Sequence, residues 1–324
     1  MNNRLILNIF VCFFFSTVSQ DLSSSNNIWE CSSSDSEISF ANCENQYGKS
    51  MFIYEFSELG TDYKINLSLP DDSYFSGESK NGNLFGTSLF ADGTTIKGQV
   101  IDKAFEGPGE ITYQNGDVYK GFLQESLRHG KGSMFGKSNN LLLEGTFESD
   151  GFSEGRSYDR ETGRLVYDGE WDDGFEGVYD GFGTEYFIDG QIYVGSFVRG
   201  RAEGYGENFF PDGDVYKGYF KNGVENGYGE YTFKELNSIR GVKFNKVSGR
   251  YLDGERVGQF VLSNNSKIIY IGGLAKNLNF NGQGTFIKCN DFQENNENED
   301  TESCYVESGN FIDSNLNGQG KIDF

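Results

Sequence analysis

Few side chains in this sequence are spaced to do chemistry. The chain has one histidine, His129, and a histidine acting as general base needs a nucleophile beside it and an acid to orient it. No such pair stands out, so no catalytic residue is assigned and the protein is expected not to be an enzyme. Carboxylates are plentiful. Asp172-Asp173 and the run Glu294 to Glu302 bring acids together, as glycosidases and calcium loops do. Yet no Asp-x-Asp-x-Asp-Gly loop with a closing Glu occurs, and adjacent acids are commonplace in a chain with 49 Asp and Glu. Stretches such as Gly204-Tyr205-Gly206 recur along the chain, which marks them as repeat glycines and not as a phosphate loop. No cofactor and no metal site is expected.

The cysteines point to structure. Cys12 falls in the apolar run Leu5 to Phe15, which follows Arg4 and precedes the small residues Thr17-Val18-Ser19. Residues 1–19 therefore read as a signal peptide cleaved before Gln20, with a type II signal anchor as the alternative. Four cysteines remain, as the local pairs Cys31 with Cys43 and Cys289 with Cys304. An even count behind a signal favours disulfides, and the Cys-x-x-Cys spacing of a zinc site is missing. Asn66 and Asn264 head glycosylation tripeptides. These features place the protein in the secretory pathway, secreted or lumenal. Its net charge of −22 excludes nucleic acid as a general partner and disfavours an acidic membrane, leaving cations and basic proteins as better matches.

The elements are organised by a repeat. Tyr193 and Tyr216 open copies 23 residues apart, each followed by Gly at +2, Phe at +4 and Gly at +7, +11 and +13. Even offsets share one face of a strand, so each copy reads as a hairpin turning near the +7 glycine. One face then carries rings alternating with bare glycine, and the other is mixed and wetter. Glycine weakens a strand interior, so its fixed placement answers a packing need: a slot for a ring from a neighbouring strand, with the rings stacking along the array. Copies open at Phe75, Ile96, Tyr119, Leu143, Tyr167, Tyr193, Tyr216, Val247 and Ile271, and a tenth runs through Gly309 and Phe311. The organisation expected is a signal (1–19), a disulfide-containing cap (20–74), a regular array (75–233), a break (234–246) and degenerate repeats (247–324) with an acidic insert (290–303).

Three segments, Tyr167 to Gly174 (YDGEWDDG), Tyr193 to Gly200 (YVGSFVRG) and Tyr216 to Gly223 (YKGYFKNG), each followed by Gly-x-Gly, resemble the MORN family (membrane occupation and recognition nexus). The resemblance implies an all-β fold, an elongated single curved antiparallel sheet of stacked hairpins. It also implies a non-enzymatic scaffold, often near membranes and often dimeric, in which His129 is a repeat residue. MORN proteins are usually intracellular, and a signal sequence with paired cysteines departs from that pattern. The expected function is a scaffold holding a protein partner on the ring face, with Tyr167, Trp171, Tyr193, Phe197, Tyr216 and Phe220 as candidate contacts. Glycan binding and membrane association are the alternatives, and a homodimer through the C-terminal end is a further expectation.

Overall fold

The computed structural model describes residues 30–32, 40–44, 50–54, 63–68, 73–102, 104–172, 177–265, 267–289, 304–318 and 320–323. The segment read as a signal (1–19), Asp173 and the acidic insert (290–303) lie outside the described residues. No helix forms among those described, and the all-β expectation holds. Two compact units divide at Leu165.

The first unit contains β1 (Glu30–Ser32), β2 (Phe40–Glu44), β3 (Ser50–Tyr54), β4 (Tyr63–Ser68), β5 (Tyr74–Lys80), β6 (Asn83–Leu89), β7 (Thr95–Ile101), β8 (Ala104–Thr112), β9 (Val118–Gln124), β10 (Leu127–Phe135), β11 (Leu141–Glu148) and β12 (Gly151–Tyr158). Each pairs antiparallel with the next. The four strands before the array thus continue its pairing, and Cys31 stands opposite Cys43 in the register of β1 and β2.

The second unit contains β13 (Leu165–Trp171), β14 (Tyr179–Tyr186), β15 (Ile192–Val198), β16 (Arg201–Phe209), β17 (Val215–Lys221), β18 (Val224–Ile239), β19 (Val242–Leu252), β20 (Glu255–Asn264), β21 (Lys267–Leu274), β22 (Phe280–Cys289), β23 (Cys304–Ile312), β24 (Asn315–Leu316) and β25 (Lys321–Asp323). These are also antiparallel neighbours in order, except that β23 pairs with both β24 and β25. A disulfide joins Cys289 to Cys304, which face each other across β22 and β23. Residues 234–246, where the repeat period lapses, extend β18 and β19 into one long hairpin with its turn at Arg240-Gly241.

Local chemistry explains the hairpins. Within a copy the two-residue turns are Asn81-Gly82, Arg199-Gly200, Asn222-Gly223 and Asp253-Gly254, all at positive φ, as the primed turns of tight hairpins require. Between copies the turns carry Asp or Asn before Gly, and its carboxyl or amide oxygen accepts the backbone N–H two residues on. Asp92 bonds Thr94, Asn115 bonds Asp117, Asp189 bonds Gln191 and Asp212 bonds Asp214, at 2.8 to 3.0 Å.

The glycine slots differ from expectation in whose ring fills them. Gly218 lies opposite Gly229, and the ring across both belongs to Tyr216, two residues back on the same strand. A methyl at Gly218 would come within 2.7 Å of both Tyr216 Cζ and Gly229 Cα. Tyr119, Tyr167, Tyr193 and Tyr270 cover their own glycine pairs in the same way. A neighbouring strand supplies the cover where the opening residue is aliphatic: Leu123 over Gly109 and Phe260 over Gly249. The rings also meet mostly edge-on and not in a flat stack. Tyr193 meets Phe197 and Phe220 at 85° and 82°, and Tyr216 meets Tyr251 at 90°.

The +11 glycines have a separate reason. Gly107, Gly130, Gly204 and Gly227 sit at positive φ where β8, β10, β16 and β18 bulge against their partners. The ninth copy is framed one residue earlier than the sequence suggested. Tyr270 is the buried ring over Gly272 and Gly284, while Ile271 points outward, because Gly272-Gly273 satisfies either frame.

Substituting Gly218→Ala pushes a methyl into the Tyr216 ring and the facing backbone, at a cost of about 1–3 kcal/mol. Gly223→Ala meets only backbone strain, about 1–2 kcal/mol, and Gly223→Asn recovers most of it. Urea denaturation midpoints ordered Gly218→Ala lowest and Gly223→Asn highest are the expected result.

Candidate functional site

The six residues expected to meet a partner lie in the second unit, and the structure brings them together as its frame. Tyr167, Tyr193, Phe197, Tyr216 and Phe220 are buried, and Trp171 is half-buried, edge-on to Tyr167 and Tyr179. Tyr179 lies flat on Tyr167, ring centres 3.8 Å apart. A partner docked on the present surface does not reach the five buried rings. The slot-covering phenols find local acceptors: the hydroxyls of Tyr119, Tyr167, Tyr193 and Tyr270 donate to the backbone carbonyls of Phe122, Glu170, Ser196 and Gly273, at 2.9 to 3.2 Å, and that of Tyr216 reaches the Tyr219 carbonyl at 3.5 Å. Burial pushes Tyr119, Tyr193 and Tyr270 up to about 12 and raises Tyr167 and Tyr216 further.

The opposite face of the same strands carries rings that the frame does not use. Phe182, Tyr205, Tyr219 and Tyr228 are 58%, 53%, 50% and 58% exposed. Register aligns them in one row across β14 to β19: Phe182 opposite Ser196, Tyr205 opposite Tyr219, and Tyr228 opposite Arg250. At ~4.8 Å per strand the four rings, on β14 to β18, span about 19 Å. The Tyr205 and Tyr219 rings touch edge to face, centres 5.7 Å apart.

The carboxylates around this row are engaged at home. Glu207 pairs with Lys217 at 2.9 Å and Glu230 with Lys246 at 2.7 Å. Asp180 and Glu203 accept the turn N–H groups of Arg199 and Asn222. The row is therefore an apolar strip between internally balanced charges, on an otherwise strongly acidic chain. Sequence reading described this face as mixed and wet and missed the strip. The signal was present: Tyr205 and Tyr228 each stand between the +11 and +13 glycines of their copies, and Tyr219 stands at +3.

Other candidates fall elsewhere. His129 lies half-buried on β10 opposite Phe122, its carbonyl 3.5 Å from the Tyr119 hydroxyl. Asp172 follows β13, its N–H donating to the Val178 carbonyl, with Asp173 outside the described residues. Asn66 lies within β4, and Asn264 ends β20 at a turn. Among the described residues no three His, Cys, Asp or Glu gather to hold a metal, and no helix is long and apolar enough to cross a membrane.

Residues 97–118, 119–140, 167–192, 193–215 and 216–235 match the family model of the MORN repeat. The chain carries five MORN repeats. Four of the matched segments open on the ring that covers the glycine pair, Tyr119, Tyr167, Tyr193 and Tyr216. No curated protein matches the sequence. MORN repeats point to a protein- or membrane-interaction module, and the outer row lies on the matched copies from Tyr167 to Glu235.

The raised phenols set an alkaline limit. A hydroxyl whose folded value lies above its ordinary 10 stabilises the fold below pH 10, and that contribution is lost as pH climbs toward about 12. Stability measured from pH 9 to 12 should fall, and Tyr193→Phe should make the fall shallower. Identical slopes would show that this hydroxyl is not protected.

Proposed function

We propose that the protein is a non-enzymatic scaffold of the secretory pathway or the cell exterior, holding a protein partner on its MORN array. The observation that carries this reading is the outer row of Phe182, Tyr205, Tyr219 and Tyr228. Half-exposed aromatic rings on a rigid sheet offer large contact area at low entropic cost, the composition of interface hot spots. The secretory setting rests on the pattern of residues 1–19 and on the Cys289–Cys304 bridge, a form of cysteine favoured by oxidising compartments. Mature protein recovered from its own cells should begin at Gln20, as read by N-terminal sequencing.

The row predicts a separation of folding from binding. Tyr205→Ser with Tyr219→Ser should change unfolding free energy by no more than about 1 kcal/mol, since exposed positions away from the core tolerate change. The same pair should weaken partner capture at least tenfold when the tagged protein is isolated from its own cells and co-purifying proteins are quantified. Capture unchanged by the double substitution would remove the row from the interface. Exposed rings also stack on sugars, so a glycan-array signal lost in the same variant would reassign the row to a carbohydrate.

A further inference from the structure

The segment that breaks the repeat period has a destination. Beyond the copy ending near Phe233, β18 and β19 continue as a hairpin, pairing Asn237 with Phe244, Ser238 with Lys243 and Ile239 with Val242. Phe244 is buried, and Phe233, Ile239 and Val242 pack against the ring cluster that includes Phe260, Tyr270, Phe286 and Phe311. The tip residue Arg240 stands at positive φ beside Gly241. Its guanidinium makes a two-pronged pair with the carboxylate of Glu307, 67 residues away, Nη2 to Oε1 at 3.1 Å and Nη1 to Oε2. Its Cζ lies 4.6 Å from the centre of the Phe286 ring. The Tyr305 hydroxyl donates to the same Glu307 carboxylate, whose side chain is 6% exposed. A fork-shaped donor, a buried carboxylate and an aromatic face match guanidinium and do not suit ammonium equally.

The hairpin also differs from the chain in charge. Residues 234–246 hold Lys234, Arg240, Lys243 and Lys246 against one acid, Glu235, within a chain of net charge −22. What the ring face of β22 and β23 accepts is thus already visible: a basic turn led by arginine.

We propose that Glu307, Tyr305 and Phe286 form a receptor for an arginine at the tip of a basic turn, occupied in cis by the chain's own hairpin and open in exchange to an arginine-tipped segment of a basic protein partner. The resident hairpin, being tethered, competes at high effective concentration and sets the threshold a partner must exceed. This seat is separate from the outer row, so either can fail alone.

The test uses the full chain with Leu236–Lys243 replaced by Asn-Gly, which removes the resident tip. The probe is a labelled, cyclised peptide with the sequence of residues 233–246, followed by fluorescence anisotropy. Saturable binding is expected, at least tenfold tighter than to the unaltered chain, and at least tenfold tighter than that of a peptide carrying citrulline or lysine at the Arg240 position. Glu307→Gln in the shortened chain should abolish it. Absence of saturable binding to a folded shortened chain, or equal binding of the citrulline peptide, overturns the proposal. Should the shortened chain not fold, Arg240→Ala with the hairpin intact serves instead: ethylguanidinium should restore its thermal midpoint saturably and ethylammonium should not. Failure of that restoration overturns the proposal equally. Exchange of hairpins between two copies, seen as a dimer in sedimentation of the unaltered chain, would assign the seat to self-association and overturn the claim of a different partner.

Discussion

One contact recurs at the centre of the structure: a tyrosine ring laid across a pair of glycines that face each other on adjacent strands, as Tyr216 lies across Gly218 and Gly229. Two missing Cβ atoms make the slot, and the ring fills it. Glycine costs conformational entropy in a strand, and burying a large ring offsets that cost while fixing the register. A slip of one residue would set the ring against side chains and turn the glycines outward. The hydroxyl must then find a partner in the dry interior, and it reaches the carbonyl three residues on in the same strand.

Because the ring and its slot belong to one hairpin, each copy largely completes itself, and neighbours add edge-on contacts. This explains how copies with altered residues persist. Where the opening residue is Val247, Phe260 crosses from the partner strand to cover Gly249. In the fourth copy, whose second half has lost the repeat pattern, Gly145 still faces Gly155 and Phe147 still packs against Tyr119. Glycine on the inner face persists, and what lies over it varies.

The same arrangement divides labour between the faces. Rings on the slot face are committed to the fold, while the other side carries the exposed row. Tyr205 and Tyr228 project outward beside Tyr219 because each immediately precedes an inward-facing slot glycine, Gly206 and Gly229. On the slot face of the C-terminal copies, access is decided by the long hairpin and its Arg240–Glu307 clasp, a charge pair held where water is scarce and therefore costly to break one partner at a time.

Spacing alone determined the all-β class, the hairpin in each copy, its turn near the +7 glycine and the ring-and-glycine face, since a period of two along strands and a fixed offset between them leave few alternatives. It also grouped Cys289 with Cys304 as a local pair, and the structure joins them by a disulfide across β22 and β23. What it left open was every choice that two registers or two faces satisfy equally. Gly272-Gly273 allows Tyr270 or Ile271 to open the ninth copy, and only burial selects Tyr270. The six rings singled out as contacts share their spacing with core residues, and only packing shows that five of them are core. Residues 234–246 read as an interruption because their contacts, Arg240 to Glu307 and Phe286, join strands far apart in sequence. Periodicity reports what repeats locally, and tertiary structure alone decides where a non-repeating segment comes to rest.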